Sequence, residues 1–459
     1  MAAPITQLRD WLDHLARTDR LAVARPGIAL RHQLAAVANR LDGRQASFFP
    51  HPGNHAVPVV SGLTSDRGWM AEAMGVPPGR LLARFREAAA NPLPWREVGE
   101  APAQEVVHEK ADLERILPIP THNEHDSGPY ISAGLLISRN PRNGRQNVAI
   151  HRLQVNAPDR LGVLILPRHT MAYLNFAEED GKDLEVAIVV GIDPLSLLAS
   201  QAIAPLDADE LEIAGALHGA PMPVVKCRTN EVRVPAASEI VIEGRVLREA
   251  REEEGPFGEF PQYYGERAKR HVIQVDCITT RRSPIFHTIV GGGLEHLLLG
   301  GIPREATLLA HLQRSFPGVT DVHLSRGGVM RYHLVVQMRK RSEGEAKNVI
   351  LGAFGGHYDL KQVVVVDEDV DIHNPHEVEW AIATRFQADR DLVVVGHAQG
   401  SRLDPSTDDG VGAKMGLDAT RPLAAPAMKF TRIAVPGQAE IRLEEVLDTS
   451  AGADWRSRM

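Results

Sequence analysis

The sequence predicts a multidomain α/β protein of the α+β kind, and three observations predict it. The chain has 459 residues, more than one hydrophobic core ordinarily serves. Its two ends alternate short apolar strands with amphipathic helices. The stretch between them is dominated by short strands separated by turn residues. Together these give an N-terminal α/β domain over residues 1–105, a strand-rich domain over 106–300 and a C-terminal α/β domain over 301–459.

The elements follow in chain order. Leu8, Trp11, Leu12 and Leu15 share one helical face. Leu21 to Ala24, Ser47 to Phe49 and Val57 to Val60 read as strands, with a helix at Leu34 to Leu41. Trp69 to Met74 and Leu81 to Ala88 read as helices. Asn91 to Pro102 holds three prolines and reads as a linker. Strands are then expected at Ile131 to Ile137, Asn147 to Val155, Leu161 to Leu166, Leu184 to Ile192, Val224 to Cys227, Glu239 to Glu243, Val272 to Thr279 and Ile285 to Val290. Pro141-Arg142-Asn143-Gly144 marks a tight turn between two of them. A helix interrupts the series at Glu210 to His218. This pattern suggests an antiparallel barrel or sandwich. Beyond Gly301, Pro303 to Leu312 reads as a helix with proline near its first turn. Val363 to Val366, Glu377 to Phe386 and Leu392 to Val395 read as strand, helix and strand, a βαβ unit with a parallel sheet.

Composition narrows the function. Apolar content of 43% and charged content of 24% are those of a soluble globular protein. A net charge of −8 argues against nucleic acid as a partner. The two cysteines, Cys227 and Cys277, lack paired spacing, which suggests a reducing, cytoplasmic setting. The N-terminus lacks the apolar run of a signal peptide, and no run of roughly 18 apolar residues would span a membrane.

Several motifs fail. His122, Glu124 and His125 match neither His-Glu-x-x-His nor its inverse, and they follow Pro118 and Pro120. Asp367, Asp369 and Asp371 resemble the start of a calcium loop. Ile372 and Val378 then stand where glycine and glutamate belong. Gly291-Gly292-Gly293 is no dinucleotide fingerprint.

Glu254-Gly255-Pro256-Phe257-Gly258-Glu259 is more informative. Gly-Pro opposes helix, so this loop can aim two acids at one cavity. Glu252 and Glu253 crowd its entrance. A carboxyl near a like charge and partly desolvated has a raised pKa and can deliver a proton. Arg152 sits inside a strand-like run, where arginine usually needs a carboxylate or phosphate partner, although an edge-strand arginine facing water gives the same pattern. Asn147, His169 and Glu210 offer an amide oxygen, an imidazole and a carboxylate, a set suited to Mn²⁺ or Mg²⁺, but their spacing alone defines no site.

From near residue 1 to about residue 425 the chain resembles the UbiD family of decarboxylases, which use prenylated flavin mononucleotide. The matching segments are Asn147 with Arg152, Pro167-Arg168-His169, Ser200 to Pro205, Glu210 with Gly215 and Gly219, Val224 to Cys227, Val234 to Ala236, Glu239 to Gly244, Glu254 to Glu259 and Lys414 to Thr420. Their order and spacing together make the resemblance specific.

The resemblance implies that the central domain is a split β-barrel that binds the flavin. It implies that Asn147, His169 and Glu210 hold a Mn²⁺ ion at the cofactor phosphate. A K⁺ ion would lie alongside, on Glu210 and main-chain oxygens near Val148, Ala199, Ser200 and Ala202. Asn147, Val148, Ala149, Ile150, His151, Arg152, Arg168, His169, Ser200, Gln201, Ala202 and Ile203 would wrap the flavin, and Lys414 would reach its phosphate or ring edge. Arg152, Glu254 and Glu259 would form the catalytic network, with Glu259 as the proton donor. The implied reaction is a reversible, non-oxidative decarboxylation of an aromatic or heteroaromatic acid, through a covalent adduct with the prenylated flavin. Such chemistry needs an electron sink that side chains do not supply.

The wording around Arg168-His169 and Gly291 to Gly301 is most similar to the branch acting on small heteroaromatic acids such as pyrrole-2-carboxylate. Gly292, Gly293 and His296 are then the substrate candidates. Alternatives are a polyprenyl-hydroxybenzoate decarboxylase of quinone synthesis, which needs an open apolar channel, and a flavin- or metal-holding scaffold without turnover. A flavin prenyltransferase would supply the cofactor. A homodimer or homohexamer is expected, with the tail after Arg421 as a lid or an oligomer contact.

Overall fold

A computed structural model describes residues 3–447. Its centre is a closed barrel of six antiparallel strands. In order round the barrel these are Ile240–Glu254, Leu184–Val190, Tyr130–Arg139, Gln146–Ala157, Arg160–Val163 and Ala268–Thr280, and the last pairs back onto the first. Closure leaves no free edge among the six, and Val106–His108 adds outside Ala268–Thr280. One cluster of buried residues takes Leu136, Leu153, Ile188, Ile242 and Ile273 from the barrel strands. Tyr173 and Leu174 join it from a helix, His169–Glu179, that the sequence pattern did not reveal.

The N-terminal helix Leu8–Arg17 buries the predicted face, Leu8, Trp11, Leu12 and Leu15. Burying each such leucine contributes about 1.5–3 kcal/mol. The N-terminal sheet runs Leu21–Val23, Ala46–Phe49, Val59–Ser61, Phe286–His287. Its fourth strand is a correction. The apolar run Ile285 to Val290 forms only a two-residue strand, parallel to Val59–Ser61 and outside the barrel. Glu210–His218 is helical as expected, capped by the Asp209 side chain on Leu211 N at 2.9 Å and ended by Gly219 at φ 75°.

Two further expectations change. The helix placed at Pro303 to Leu312 begins at Leu294 and runs to Ser315, with Pro303 inside it. Gly300, Gly301 and Pro303 read as a break, yet burial of Leu297, Leu298, Leu299 and Ile302 against the core sustains the helix. The C-terminal sheet has the order Val319–Leu324, His333–Met338, Gln362–Asp367, Val411–Ala419, Leu392–Gln399. Leu392–Gln399 is therefore an edge strand antiparallel to Val411–Ala419, and it does not pair with Gln362–Asp367. The expected βαβ pairing fails because the chain crosses over helix Pro375–Arg385, makes the edge strand, turns and only then inserts Val411–Ala419 beside Gln362–Asp367. No described helix is long and apolar enough to cross a membrane.

Candidate active site

The barrel strand Gln146–Ala157 forms one wall of a cavity of about 460 Å³. The cavity takes Asn147 to Arg152 from that strand, Arg168 and His169 from the start of the next helix, Ser200 to Ala204 from the following loop, and Glu210. Glu259 and Gly291 close it on another side, and the helix Leu294–Ser315 contributes His296, Leu299 and Arg304.

Arg152 joins the two loop acids. Its Nη2 donates to Glu254 Oε2 at 2.8 Å and its Nη1 to Glu259 Oε1. The Glu254 side chain is fully buried, and those of Arg152 and Glu259 nearly so. Such a triad forms because one strand delivers Arg152 while Glu254 ends the long strand Ile240–Glu254, from which the chain turns to bring Glu259 back. Tyr130 sits behind it, with its hydroxyl 3.1 Å from Glu254 Oε1 and 2.8 Å from Gln154 Oε1. Burial is the largest influence on Glu259 and raises its pKa, Arg152 pulls it back, Glu254 pushes it up, and the net shift is upward. Glu259 thus keeps a proton more readily than an ordinary glutamate, and Glu254 has two donors on its carboxylate.

Asn147, His169 and Glu210 also come together. Asn147 Oδ1 lies 3.1 Å from His169 Nδ1, and Glu210 Oε2 accepts from Val148 N at 2.7 Å. Glu210 has no cationic side chain paired with it among the described residues, and burial pushes its pKa up to about 8. A buried carboxylate, an amide oxygen and an imidazole, with the carboxylate uncompensated, fit a divalent cation. Among the described residues no group of three or more His, Cys, Asp or Glu gathers to hold a metal. The trio here is mixed, with an asparagine in it.

Arg168 is at the rim, donating to the Tyr358 hydroxyl at 2.8 Å. His151 lines the cavity with Nδ1 3.1 Å from Leu164 O. Gln201, Ala202 and Ile203 line it too, whereas Gly292 and Gly293 do not. Lys414 lies off the cavity. Its Nζ donates to the carbonyls of Tyr358 and Leu360 at 2.7 Å each, so it holds the loop that carries Tyr358.

Two arginines escaped the sequence reading. Arg304 donates to Gly300 O at 2.7 Å and to His357 Nε2 at 3.2 Å, and its nearest carboxylate, on Asp359, is 3.9 Å away. Among the described residues Arg331 donates only to the carbonyls of Leu297 and Met330, at 3.2 and 3.0 Å, and it stacks over Phe260. Its guanidinium rests against Gly300, where any Cβ would overlap it. Burial pulls both arginine pKa values down; Asp359 offsets part of this at each, while Arg168 lowers Arg304 further and Arg304 lowers Arg331 further. Burial and the same two arginines bring His296 to about 3, so its ring is neutral. A lone arginine in an apolar run is the signal that exposed Arg152. Leu-Gly-Gly-Ile-Pro-Arg304 carries the same signal, masked by the apparent helix break.

Comparison with known proteins identifies the family. Residues 12–89, 96–294 and 297–419 match the N-terminal, Rift-related and C-terminal domains of 3-octaprenyl-4-hydroxybenzoate carboxy-lyase, UbiD. The chain belongs to the UbiD family and is a UbiD-type carboxy-lyase. It is 42% identical over 378 residues to anhydromevalonate phosphate decarboxylase of Methanothermobacter thermautotrophicus, covering 82% of this chain and 88% of that one. It superposes on the UbiD-class enzyme HmfF from Pelotomaculum thermopropionicum in complex with FMN, with TM-score 0.94 and 49% identity, over 96% of this chain and 100% of that one. An evolved dimeric form of HmfF in complex with prFMN gives TM-score 0.91 and 46% identity, with coverage of 96% and 100%.

Proposed function

We propose that this chain decarboxylates an aromatic, heteroaromatic or otherwise α,β-unsaturated acid that carries a second anionic group, reversibly and without net oxidation. The carrying observation is that buried Arg331 and largely buried Arg304 line the cavity that holds Arg152, with Asp359 as the carboxylate acting on both and, among the described residues, none in hydrogen-bonding contact with either. Burying guanidinium charge without a partner is costly. A substrate with a second carboxylate or a phosphate would relieve that cost on binding. The name of the Methanothermobacter relative describes a phosphate-bearing acid. Pyrrole-2-carboxylate brings no second anion, and the comparisons do not support it. A polyprenyl tail fits worse, since it needs an apolar channel and meets Arg304, Arg331 and neutral His296.

Prenylated FMN, when bound, supplies the electron sink for the carbanion left by CO₂. Asn147, His169 and Glu210 would hold Mn²⁺ at its phosphate, with K⁺ beside Glu210, and the segments 147–152, 168–169 and 200–203 would surround the flavin. Arg152 orients the reacting carboxylate, and Glu254 holds Arg152. Glu259 gives its proton to the carbon that loses CO₂.

The test is CO₂ release by protein co-expressed with a flavin prenyltransferase. Pyrrole, furan and benzene monoacids are compared with the corresponding diacids, and a phosphate-bearing unsaturated acid is included. A diacid or phospho-acid should exceed its matched monoacid in kcat/KM by at least about 30-fold, the worth of one buried charge pair. Equal values for both would overturn the second-anion assignment, and no turnover of any acid at full flavin loading would overturn the reaction.

A further inference from the structure

A second hydrogen-bonded chain enters the cavity away from the arginine–glutamate network. Ser132 lines the cavity on the strand Tyr130–Arg139. Pairing with Gln146–Ala157 runs from Ile131 opposite Leu153 to Gly134 opposite His151, and an irregularity between them sets Ser132 beside Arg152. Ser132 Oγ accepts from Ile289 N at 3.0 Å and lies 3.0 Å from Thr288 Oγ1. Thr288 Oγ1 in turn lies 2.7 Å from His122 Nε2. Thr288 and His122 are buried, and His122 Nδ1 has no partner among the described residues.

The direction of this chain follows from the cost of an orphaned donor. His122 is neutral, since burial brings its pKa to about 4. A neutral ring has one N–H. On Nδ1 that N–H would be a buried donor with nothing to meet. On Nε2 it donates to Thr288, and only a lone pair is left unpaired, which is the cheaper defect. Thr288 then donates to Ser132, whose lone pairs serve Thr288 and Ile289 N. The Ser132 proton is left free, and the cavity is where it can find an acceptor.

We infer that Ser132 is a substrate-binding residue that donates its hydroxyl proton to the reacting carboxylate beside Arg152, and that Thr288 and His122 fix the direction of that donation. The inference rests on the proposed acid-binding role of the cavity, and binding is measured apart from turnover so that the two fail separately. Prenylated-FMN-loaded wild type, Ser132→Ala, Ser132→Thr and Thr288→Val are titrated calorimetrically with furandicarboxylate and with furan, which lacks any carboxylate. A hydrogen bond to a charged group predicts about tenfold or greater weakening of diacid binding in Ser132→Ala. A similar loss is expected in Thr288→Val, with recovery in Ser132→Thr, unchanged furan binding and unchanged flavin absorbance. KM should rise while kcat stays within about threefold, since the contact exists before and during bond cleavage. Unchanged diacid binding in Ser132→Ala overturns the inference. So does a shifted flavin spectrum with unchanged diacid binding, which would place the hydroxyl on the cofactor. A wild type that binds the diacid and releases no CO₂ would count against the reaction and still report on Ser132.

Discussion

Arg152 and Arg331 are both guanidinium groups sealed into one cavity, and their surroundings are opposite. Arg152 meets two carboxylates from its own chain. Arg331 meets two carbonyls, a phenyl face and a neighbouring arginine. The chain bonds the first charge to two carboxylates and, among the described residues, gives the second no carboxylate in hydrogen-bonding contact, only the field of Asp359. A balanced buried charge belongs to the apparatus, and an unbalanced one is kept at a cost to stability because something outside the chain completes it.

The comparison breaks most sharply at Glu259. Glu259→Gln keeps the hydrogen-bonding shape and removes the proton. Turnover should fall about 10²–10⁴-fold, while the flavin stays bound by the groups around Asn147 and His169. Decarboxylation at the wild-type rate, measured by CO₂ release at matched flavin loading, would take the acid role away from Glu259.

Neutralising each arginine should move stability in opposite directions. Arg152→Met strands Glu254 and Glu259 as buried unpaired acids and should cost about 3–5 kcal/mol in urea unfolding of the flavin-free protein. Arg331→Met removes a buried charge with no carboxylate in hydrogen-bonding contact and should leave stability unchanged or raise it by about 1 kcal/mol, while the diacid preference in kcat/KM drops at least about tenfold. Equal losses in the two variants would mean that Arg331 is balanced after all, and the second-anion reading would lose its support.

Gly300 sharpens the same point through geometry. Arg331 lies flat on the helix only because position 300 has no side chain. Gly300→Ala should push the guanidinium away and raise KM for the diacid several-fold, with KM for the monoacid unchanged. The substitution also favours the helix by about 1 kcal/mol, so loss of selectivity with a retained or raised Tm separates displacement from unfolding.

The same contrast explains what the sequence revealed. The Glu254–Glu259 loop and Arg152 were legible because paired acids around Gly-Pro, and an arginine inside an apolar strand, are local anomalies with few physical remedies. The six-strand barrel was legible as a run of short strands, though Ile285 to Val290 belonged elsewhere, and so did Val224 to Cys227, which pairs with Arg233–Pro235 and Arg96–Glu97 in a small separate sheet. Arg304 and Arg331 were hidden because no acidic motif near them in sequence announces a partner, and Asp359 meets them only through the fold. The segment before Arg304 also imitates a helix end, and only tertiary burial overrides it. Strands Val319–Leu324 and His333–Met338, and the role of Leu392–Gln399 as an edge, depend on long-range pairing that periodicity does not encode.

The smallest expected effect concerns protons. Burial holds the Glu259 pKa above its ordinary value, so the folded protein binds this proton over a pH range where the unfolded chain has released it. The sign follows. Glu259 contributes stability that is fully present below the ordinary glutamate pKa and is lost as pH rises through the raised folded value. Catalysis carries the same sign, because a proton donor must be protonated, and kcat/KM should fall on the alkaline side of that value. Glu259→Gln should flatten this part of the stability profile, whereas Arg331→Met should leave it intact, since Arg331 pairs with neither acid. Urea midpoints of the flavin-free variants between pH 4.5 and 8, roughly the span over which a raised glutamate titrates, would show it. A wild-type profile that rises through that window would mean that Arg152 dominates Glu259 and holds it ionised, and the proton would then have to come from another group.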